Sequence, residues 1–487
     1  MKLTELLSNL SYELIQGSTE QEITSVVYDS RQSKSGSLFV CIKGFQTDGH
    51  LYIQQAVDLG AVAVVLEDEK AAVNQVTMIK VDDTRAALPV IASLFTDDPS
   101  SKLDLIGVTG TNGKTTVTYL LKMILDHEGI KSGLIGTISN WIGDMPMETI
   151  RTTPESIDFQ RLLKRMVEEK VAVCTMEVSS HSLALHRVDH TQFHTGIFTN
   201  LTEDHLDFHT SMEDYYQQKK KLFHMTKHMN LINLDDPYGN RLGKELHSEG
   251  INHVSYGIDG PWDLTAQNVE LTTKGASFHV SGVGMNHRVR LQIPGKFSVY
   301  NALAAIGAAR SLGISPPQIC EALALVKGVP GRLERISDIT STSVIVDYAH
   351  TPDALKNVLQ SIRQFSKGKV ITVFGCGGDR DRKKRPLMGE ITGKLSDFTI
   401  ITSDNPRSEE PMDIIRMIEG GIISTGGKYS IIENRREAIR KAICLAGQED
   451  VVLIAGKGHE TTQTIGHITV RFDDREVAKE LVREEEK

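Results

Sequence analysis

Glycines, a lysine and threonines cluster in the stretch Ile106–Thr116, Ile-Gly-Val-Thr-Gly-Thr-Asn-Gly-Lys-Thr-Thr. Glycine lets a backbone pass close to a phosphate, so that its N–H groups can point at the phosphate oxygens. The Lys114 ammonium can reach the terminal phosphates of a nucleotide, and the Thr115 hydroxyl can bind Mg²⁺. A standard phosphate loop has glycine where this chain has Val108, so the stretch predicts a variant loop with the usual ending.

The segments on either side of this stretch are those that a phosphate loop requires. An apolar run, Leu103–Val108, predicts a buried strand before the loop. After the loop, apolar residues recur on one helical face, and Gly129 stands where a C-terminal cap belongs. This order of strand, loop and helix disfavours the alternative of a glycine-rich turn with an unrelated lysine.

Composition narrows the class of protein. A chain of 487 residues predicts about three domains of ~150 residues each. The net charge of −9 disfavours a protein that coats nucleic acid. No apolar run approaches membrane-spanning length and the N-terminus lacks the apolar core of a signal peptide, so we expect a cytoplasmic protein without membrane insertion. The five scattered cysteines have no Cys-x-x-Cys spacing and indicate reduced thiols.

Strand and helix patterns predict an α/β protein of three domains, 1–100, 101–328 and 329–487. A linker is expected at Asp97–Ser101, and the breaker-rich stretch Gly328–Glu334 leads into the third domain. In that domain four short apolar strands alternate with helices. This alternation predicts a mainly parallel, doubly wound, Rossmann-like sheet.

Three polar clusters follow the phosphate loop in the central region. Glu177 comes at the end of an apolar run, where a carboxylate serving Mg²⁺ is expected in a phosphate-loop enzyme. The acids and histidines of Thr199–His209 could bind zinc, but hard oxygen ligands dominate and Mg²⁺ fits the neighbouring loop better. The triple lysine Lys219–Lys221 lies in a helical pattern, and on residue types alone it predicts a solvated face.

Acids and arginines follow the predicted strands of the third domain. Ligands of doubly wound sheets bind beyond the C-terminal ends of the strands. The segments at those ends are Asp347–His350, Gly375–Arg380, Ser403–Arg407 and Gly456–Glu460. The mixture of charges suits a zwitterionic ligand. The glycines of Gly375–Arg380 lack the spacing of a dinucleotide loop and indicate one only weakly.

Together these motifs resemble the Mur ligase family, the cytoplasmic ATP-dependent ligases that build the peptidoglycan stem peptide. The resemblance covers nearly the whole chain. The motifs that carry it are Thr109–Thr115, Glu177–His181, Thr199–Leu201 with Asp204 and His205, Gly331-Arg332 and Asp347–His350. Asp404-Asn405-Pro406-Arg407 resembles the motif of members that add meso-diaminopimelate, whereas lysine-adding members typically lack the arginine.

The resemblance implies a UDP-MurNAc-binding N-terminal domain, a central phosphate-loop ATPase domain and a C-terminal amino-acid-binding domain. In the implied reaction, ATP phosphorylates the free D-glutamate carboxylate of UDP-MurNAc-L-Ala-D-Glu, and the amine of meso-diaminopimelate attacks the acyl phosphate to form an amide. ATP and Mg²⁺ are the implied cofactors, because bringing two anions together requires Mg²⁺ and lysine to neutralise charge. The partners are small molecules, without nucleic acid, and we expect a monomer.

The resemblance also implies roles for individual residues. Implied ATP-binding residues are Gly110, Thr111, Asn112, Gly113, Lys114, Thr115, Thr116, Asn301, Arg332 and Asp347. Those implied for UDP-MurNAc-dipeptide are Ser30, Thr152, Thr153, Ser179 and Arg187, and those for meso-diaminopimelate are Arg380, Asp404, Asn405, Pro406, Arg407, Gly456 and Glu460. Lys114, Glu177, His205 and Lys219 are the implied catalytic residues. The implied metal ligands are Thr115, Glu177, His205 and Lys219, the last as a carbamate. Leu185 departs from the glutamine of many relatives, which puts one substrate hydrogen bond in doubt.

Several alternatives predict different sequence features. An L-lysine-adding ligase of the same family is disfavoured by Arg407. Folylpolyglutamate synthetase shares the ATPase core but gives no reason for the N-terminal domain. A catalytically dead nucleotide-sugar-binding regulator should have lost Lys114, Glu177, His205 or Lys219, and all four are present. A plain phosphate-loop ATPase or kinase does not account for the third domain.

Overall fold

The structure is a computed structural model that describes residues 1–45, 47–336 and 342–485. Its strands form three main sheets, of five, eleven and six strands, and one separate hairpin. Helices pack against all three sheets, so the predicted α/β fold class with three domains is confirmed. Over the same ranges, no helix is both long enough and apolar enough to span a membrane.

The N-terminal sheet has helices on both faces. Its elements are α1 Leu3–Leu6, β1 Glu13–Gln16, β2 Ser25–Val27, β3 Ser37–Val40, α2 Ile53–Asp58, β4 Ala61–Leu66, β5 Thr77–Lys80 and α3 Thr84–Thr96. The strand order is β1-β5-β4-β3-β2, with β1 antiparallel to β5 and the other pairs parallel. Apolar residues of α1 and α3 cover one face, and α2 covers the other.

The expected linker Asp97–Ser101 is packed rather than free. It contains a 3₁₀ turn, Pro99–Ser101, in which Pro99 and Ser100 are buried. The Ser100 hydroxyl accepts a hydrogen bond from the backbone N–H of Gln192 at 3.2 Å. The connection between the first two sheets is therefore anchored on the central domain.

The central sheet is built around the strand that precedes the phosphate loop. The first half of the domain contains β6 Asp104–Thr109, α4 Lys114–His127, β7 Ser132–Ile135, β8 Asn140–Ile142, β9 Met145–Met147, α5 Ser156–Glu168, β10 Val173–Glu177, α6 Ser180–Ala184 and β11 Phe193–Phe198. The second half contains α7 Met212–His224, β12 Thr226–Asn233, α8 Pro237–Ser248, β13 Val254–Ile258, β14 Leu264–Thr272, β15 Gly275–Gly282, β16 Met285–Leu291, α9 Lys296–Ser311 and α10 Pro316–Leu325. The strand order is β16-β15-β14-β13-β12-β11-β6-β10-β7-β8-β9.

Strand β6 lies between β10 and β11 and runs parallel to both. Its apolar residues are buried, as the sequence predicts for a strand covered on both faces. The C-terminal ends of the three strands therefore meet at one edge of the sheet. The loops that leave this edge carry the phosphate loop, Glu177 and the segment Thr199–His209.

The third sheet is doubly wound, as predicted. Its elements are β17 Glu334–Arg335, β18 Ser343–Asp347, α11 Pro352–Phe365, β19 Val370–Phe374, α12 Lys384–Leu395, β20 Phe398–Ile401, α13 Pro411–Ile423, β21 Tyr429–Ile431, α14 Arg435–Leu445, β22 Val451–Ala455 and α15 Asp474–Glu485. The strand order is β17-β18-β22-β19-β20-β21, and only the short β17 is antiparallel to its neighbour among the described strands. Helices α11 to α13 cover one face, while α14 and α15 cover the other.

A two-stranded hairpin, β23 Thr462–Ile465 and β24 Ile468–Arg471, stands beside this sheet. It follows β22 in the chain, and its residue Ile465 forms an isolated bridge to Arg407. The hairpin thus extends the edge at which the loops after β20 and β22 emerge.

Candidate active site

The phosphate loop can form only because glycine occupies two of its positions. Gly110 and Gly113 have φ values of +143° and +92°, in the region that favours glycine. A Cβ atom on Gly110 would lie 1.9 Å from Thr199 Oγ1, and one on Gly113 would lie 2.5 Å from Asn301 Oδ1. The loop is therefore in direct contact with the strand end at Thr199 and with helix α9.

Two lysines converge on this loop from different helices. Lys114 Nζ, in the first turn of α4, donates to the carbonyl oxygens of Gly110 and Thr111, both at 2.9 Å. Lys219 Nζ, from α7, donates to the Gly110 carbonyl at 2.8 Å and lies 4.5 Å from the ring centroid of Tyr215. Burial lowers the pKa of Lys219 far below its ordinary value, and the nearby Lys114 ammonium lowers that pKa further.

The other members of the triple lysine face outward. Lys220 forms ion pairs with Glu245 at 2.9 Å and Glu249 at 2.6 Å, and Lys221 is exposed. Lys219, by contrast, is buried. The expectation of a solvated face is therefore wrong for Lys219.

Hard oxygen donors lie beside the loop. Thr115 Oγ1 donates to Glu177 Oε2 at 3.0 Å, and the backbone N–H of Thr137 holds Glu177 Oε1 at 2.8 Å. Arg332, from the third domain, donates to Thr115 Oγ1 at 3.2 Å. The hydroxyl and carboxylate oxygens are of the type that Mg²⁺ prefers. In the described part of the chain, no group of three or more His, Cys, Asp or Glu side chains is arranged to hold a metal ion.

Burial disfavours the charged form of two histidines near the loop, His181 and His205. His205 has a φ of +55°, and its ring centroid lies 4.8 Å from that of His181. Burial lowers the pKa of His205, and burial together with the neighbouring His205 lowers the pKa of His181 to about 4. A neutral imidazole retains a lone pair that can bind a metal ion or accept a proton.

Two adjoining cavities meet at the phosphate loop. One, of about 290 Å³, is lined by Lys114, Thr115, Glu177 and His205 and, from the third domain, by Arg332. The other, of about 310 Å³, is lined by residues predicted to bind a nucleotide. These are Asn112, Gly113, Thr116, Asn301, Arg332 and Asp347. Because Arg332 lines both, the cavities lie at the junction between the second and third domains.

Asp347 holds the backbone of the third domain beside this junction. Its carboxylate accepts the backbone N–H groups of Leu333 at 2.7 Å and Ala349 at 2.8 Å. Burial raises the pKa of Asp347, against the opposing effect of Arg332. The side chain therefore ties together two backbone segments of the third domain that face the junction, one after Arg332 and one after β18.

Four of the five residues expected to bind the UDP-MurNAc-dipeptide lie together. Thr153 Oγ1 donates to the Glu177 carbonyl at 2.8 Å and accepts the Ser179 N–H at 3.2 Å, while Arg187 donates to the Thr153 carbonyl at 3.2 Å. Thr152 Oγ1 is 3.1 Å from Thr137 Oγ1. This group adjoins Glu177 and the loop.

The fifth residue, Ser30, is elsewhere. Its hydroxyl donates to Gln55 Oε1 at 2.8 Å within the N-terminal domain. The N-terminal domain is joined to α5 by hydrogen bonds from Tyr28 to Asp158 at 2.8 Å and from Arg161 to the Val26 carbonyl at 2.7 Å. A ligand that touched both Ser30 and the Thr153 group would have to span this domain boundary.

Arg407 lies in the loop after β20, beyond the strand end. Its guanidinium donates to the Gly378 carbonyl at 2.7 Å, and its φ is +52°. The Arg407 backbone pairs with the hairpin, through its N–H to Thr464 at 3.1 Å and its carbonyl to Gly466 at 2.7 Å. Arg380, in the loop after β19, donates to the Asp379 carbonyl at 3.2 Å.

Most of the remaining residues predicted to bind an amino acid contact one another. Asn405 donates from Nδ2 to Glu460 Oε2 at 2.8 Å, and its backbone N–H donates to Asp404 Oδ1 at 2.7 Å. A Cβ atom on Gly456 would lie 2.8 Å from Asp404 Oδ2, and the Pro406 carbonyl accepts the Glu409 N–H at 3.0 Å. The loops after β20 and β22 are therefore held against each other.

Sequence reasoning missed three residues of this site. Thr137 holds Glu177, the Tyr215 ring packs on Lys219, and Lys457, in the loop after β22, is wholly buried against the loop after β20. Lys457 has one sequence signal, its place between two glycines directly after a buried strand. Leu185, the departure from the family pattern, caps α6 with its backbone.

Comparisons with known proteins agree with the motifs. Family models described as Mur ligase family, catalytic domain, as Mur ligase middle domain, and as Mur ligase, glutamate ligase domain match residues 22–96, 108–309 and 331–458. The chain belongs to the Mur ligase family, as its motifs indicated.

Two relatives that match along the full length are named UDP-N-acetylmuramoyl-L-alanyl-D-glutamate--2,6-diaminopimelate ligase. The protein of that name from Alkaliphilus oremlandii is 50% identical over 485 residues, covering 100% of this chain and 99% of the relative. The one from Clostridioides difficile is 48% identical over 482 residues, covering 99% of each.

Solved structures extend the comparison to the fold. A structure described by the same ligase name matches with a TM-score of 0.73 and 29% identity, covering 100% of this chain and 99% of the other. MurF ligase from Thermotoga maritima in complex with ADP matches with a TM-score of 0.61 and 19% identity, covering 95% and 96%. Folylpolyglutamate synthase of Mycobacterium tuberculosis matches with a TM-score of 0.61 and 16% identity over 77% of this chain and 92% of the other. The last two are similar in fold alone.

Proposed function

We propose that this protein is an ATP-dependent amide ligase that adds meso-2,6-diaminopimelate to UDP-MurNAc-L-Ala-D-Glu. The proposal rests on one observation, a sequence identity of about 50% along the full chain to ligases named for this pair of substrates. The arginine of Asp404–Arg407 supports diaminopimelate over L-lysine as the added amino acid. Likeness in fold alone gives no support to folylpolyglutamate synthesis.

Each of the three domains is assigned one substrate. We assign the UDP-sugar to domain 1–100 with the Thr152, Thr153, Ser179 and Arg187 group, ATP to domain 101–328, and the amino acid to domain 329–487. We propose that the protein acts as a monomer. ATP and a nucleotide sugar as substrates support a cytoplasmic enzyme.

In the first step, the D-glutamate carboxylate attacks the γ-phosphorus of ATP, ADP leaves, and an acyl phosphate forms. We assign the phosphates to Lys114 and the loop from Gly110 to Thr116, in which the N–H groups of Thr111 and Asn112 already donate to Asn200. Asn301, Arg332 and Asp347 line the adjoining cavity and are assigned to the nucleotide. In the second step, the neutral amine attacks the acyl carbon, phosphate leaves, and one proton is released with the new amide.

The donors beside the loop fit Mg²⁺. Thr115 and Glu177 offer hard oxygens 3.0 Å apart, and we assign them to one Mg²⁺. A second Mg²⁺ is assigned to His205 and Lys219, and fits only if Lys219 carries an anionic group, since an ammonium has no lone pair to offer. When bound, Mg²⁺ neutralises the charge of the reacting anions.

Carbamylation of Lys219 meets that condition. Its lowered pKa favours the neutral amine, which can add to CO₂ and lose a proton to give the carbamate. The carbamate keeps one N–H, which can still donate to the Gly110 carbonyl. The change places an anion, instead of a second amine, beside Lys114.

The test is ADP release by purified protein supplied with ATP, UDP-MurNAc-L-Ala-D-Glu and a panel of amino acids. We expect turnover only with the UDP-sugar dipeptide, and amide formation with meso-diaminopimelate in preference to L-lysine. Rapid ATP hydrolysis by the protein alone, unaffected by either substrate, would refute the proposal.

A further inference from the structure

Lys457 is a fully buried lysine whose three donors all have acceptors. Its side chain has 0% exposure. Nζ donates to the Thr462 carbonyl at 2.6 Å, to Glu460 Oε2 at 3.2 Å and to Asn405 Oδ1 at 3.4 Å. An ammonium has three N–H donors, and a buried one is costly unless they are satisfied. The surroundings of Lys457 therefore match an ammonium group.

Of the three acceptors, Glu460 and Thr462 follow Lys457 closely in the chain, whereas Asn405 comes from a different loop. Asn405 is in the loop after β20, Glu460 in the loop after β22, and Thr462 begins the hairpin. Asn405 Oδ1 also accepts the N–H of Thr464 at 3.0 Å. Lys457 thus lies where the segments that carry Arg407 and Glu460 meet.

The contacts on Glu460 are all on one oxygen. Oε2 accepts from both Lys457 and Asn405, whereas no hydrogen bond to Oε1 is found among residues 1–45, 47–336 and 342–485. The Glu460 side chain keeps 33% exposure. One oxygen is fixed by the protein, and the other is available to a ligand.

We propose that Lys457 is a positioning residue for amino-acid recognition, which holds Glu460 Oε2 and Asn405 so that Glu460 Oε1 receives the ammonium at the far end of the amino acid. The inference rests on the proposed function, because it takes diaminopimelate as the ligand. Lys457 does not touch the ligand itself, and its effect passes through Glu460. A lysine that only fastened the loops would affect folding rather than recognition of one substrate.

The experiment compares Lys457→Met with wild type under steady-state conditions, varying each of the three substrates in turn. We expect KM for meso-diaminopimelate to rise roughly tenfold or more, as for loss of a charged hydrogen bond, with the KM values for ATP and UDP-sugar changing less than about twofold. The matched control is Lys122→Met. Lys122 is a buried lysine of the central domain that bonds to Asp126, Ser132 and Gly143. Its replacement should leave the KM for the amino acid unchanged.

A double-variant cycle tests whether Lys457 acts through Glu460. If it does, combining Lys457→Met with Glu460→Gln should raise the KM for meso-diaminopimelate little more than Glu460→Gln does alone. Effects that multiply in the double variant, or equal changes in all three KM values, would overturn the proposal. If Lys457→Met does not fold, Lys457→Gln replaces it, and the same outcomes support or overturn the proposal. A wild-type protein that forms no product would instead refute the proposed function.

Discussion

Lys114 and Lys219 donate hydrogen bonds to the same acceptor, the carbonyl oxygen of Gly110, at 2.9 and 2.8 Å. Two cations so close disfavour each other's charged form, which is one cause of the lowered pKa of Lys219. The arrangement separates the roles of the two lysines. Burial lowers the pKa of Lys114 as well, but Glu177 opposes that effect, so Lys114 is suited to meet phosphate as a cation and Lys219 to chemical modification.

Lys219→Ala should lose activity by about 100-fold or more, the scale on which removing one electrostatic group acts in other enzymes. The cause is loss of the carbamate assigned to the second Mg²⁺. The measurement is kcat with and without short carboxylic acids, which should partly restore the missing anion. Lys221→Ala, at the exposed end of the same triple lysine, is the control and should lose little. Equal mild losses in both variants would contradict the assigned role.

Glu177→Gln should raise the Mg²⁺ concentration needed for half-maximal activity and lower kcat by about 100-fold. The amide cannot replace the carboxylate as an anionic ligand, and its NH₂ group would meet the donors Thr115 and Thr137. The measurement is a Mg²⁺ titration of ADP release. Glu128→Gln, at the far end of α4, is the control. An unchanged titration in the Glu177 variant would remove Glu177 from the metal site.

Arg407→Ala should reduce kcat/KM for meso-diaminopimelate by about 100-fold, and any activity with L-lysine far less, because only the first has a second carboxylate for the guanidinium. The φ of +52° at this position costs arginine and alanine alike about 1–2 kcal/mol, so the alanine variant adds no backbone strain of its own. Arg407→Asn is a second variant without the guanidinium, in a residue type that tolerates this region better. The two variants should show the same loss of selectivity. If preference for diaminopimelate survives in both, Arg380 becomes the candidate for selectivity.

His459 should make the protein less stable as the pH falls from about 6.5 towards 4. Burial lowers its pKa to about 4, helped by Arg332, Arg475 and His350 and opposed by Asp473. The unfolded chain takes up the proton near the ordinary pKa of about 6.5, so in this window it binds more protons than the folded protein. The measurement is the midpoint of urea unfolding at pH 5, 6 and 7, which should depend less on pH in His459→Gln.

His181 should add to the same pH dependence, because its pKa is also lowered to about 4. Combining His181→Gln with His459→Gln should therefore flatten the midpoint's pH dependence further. A double variant as pH-sensitive as wild type would show that these two histidines do not control acid stability.

Elements buried on both faces were predictable from the sequence, and exposed ones were not. The strands β18, β19, β20 and β22 are mainly apolar and almost wholly buried, as expected where helices cover both faces of a parallel sheet. The hairpin strand β24, Ile-Thr-Val-Arg, alternates apolar and polar residues over only four positions and is exposed along its whole length, so it has no buried face to set it apart from a loop. Yet its partner strand, β23, holds the backbone of Arg407.

The residues of the candidate site also fall into those that a local sequence pattern predicts and those that it does not. The phosphate loop was predictable because its residues are contiguous and local geometry requires its glycines. The burial of Lys219 depends on the packing of α7, although one signal was present, since Tyr215, Lys219 and Leu222 share a helical face at i, i+4 and i+7. The contact of Lys457 with Asn405 joins residues 52 positions apart, and no local pattern encodes it.

The backbone pairing of Arg407 with Thr464 and Gly466 has a consequence for protein engineering. Moving the four residues Asp404–Arg407 into a lysine-adding homologue would transfer the guanidinium without the two hydrogen bonds that orient its main chain. A graft that also carries Gly456–Arg471 would transfer both. We therefore expect substrate preference to be inherited by these two segments together, and chimaeras that exchange either one alone to be poor with both amino acids.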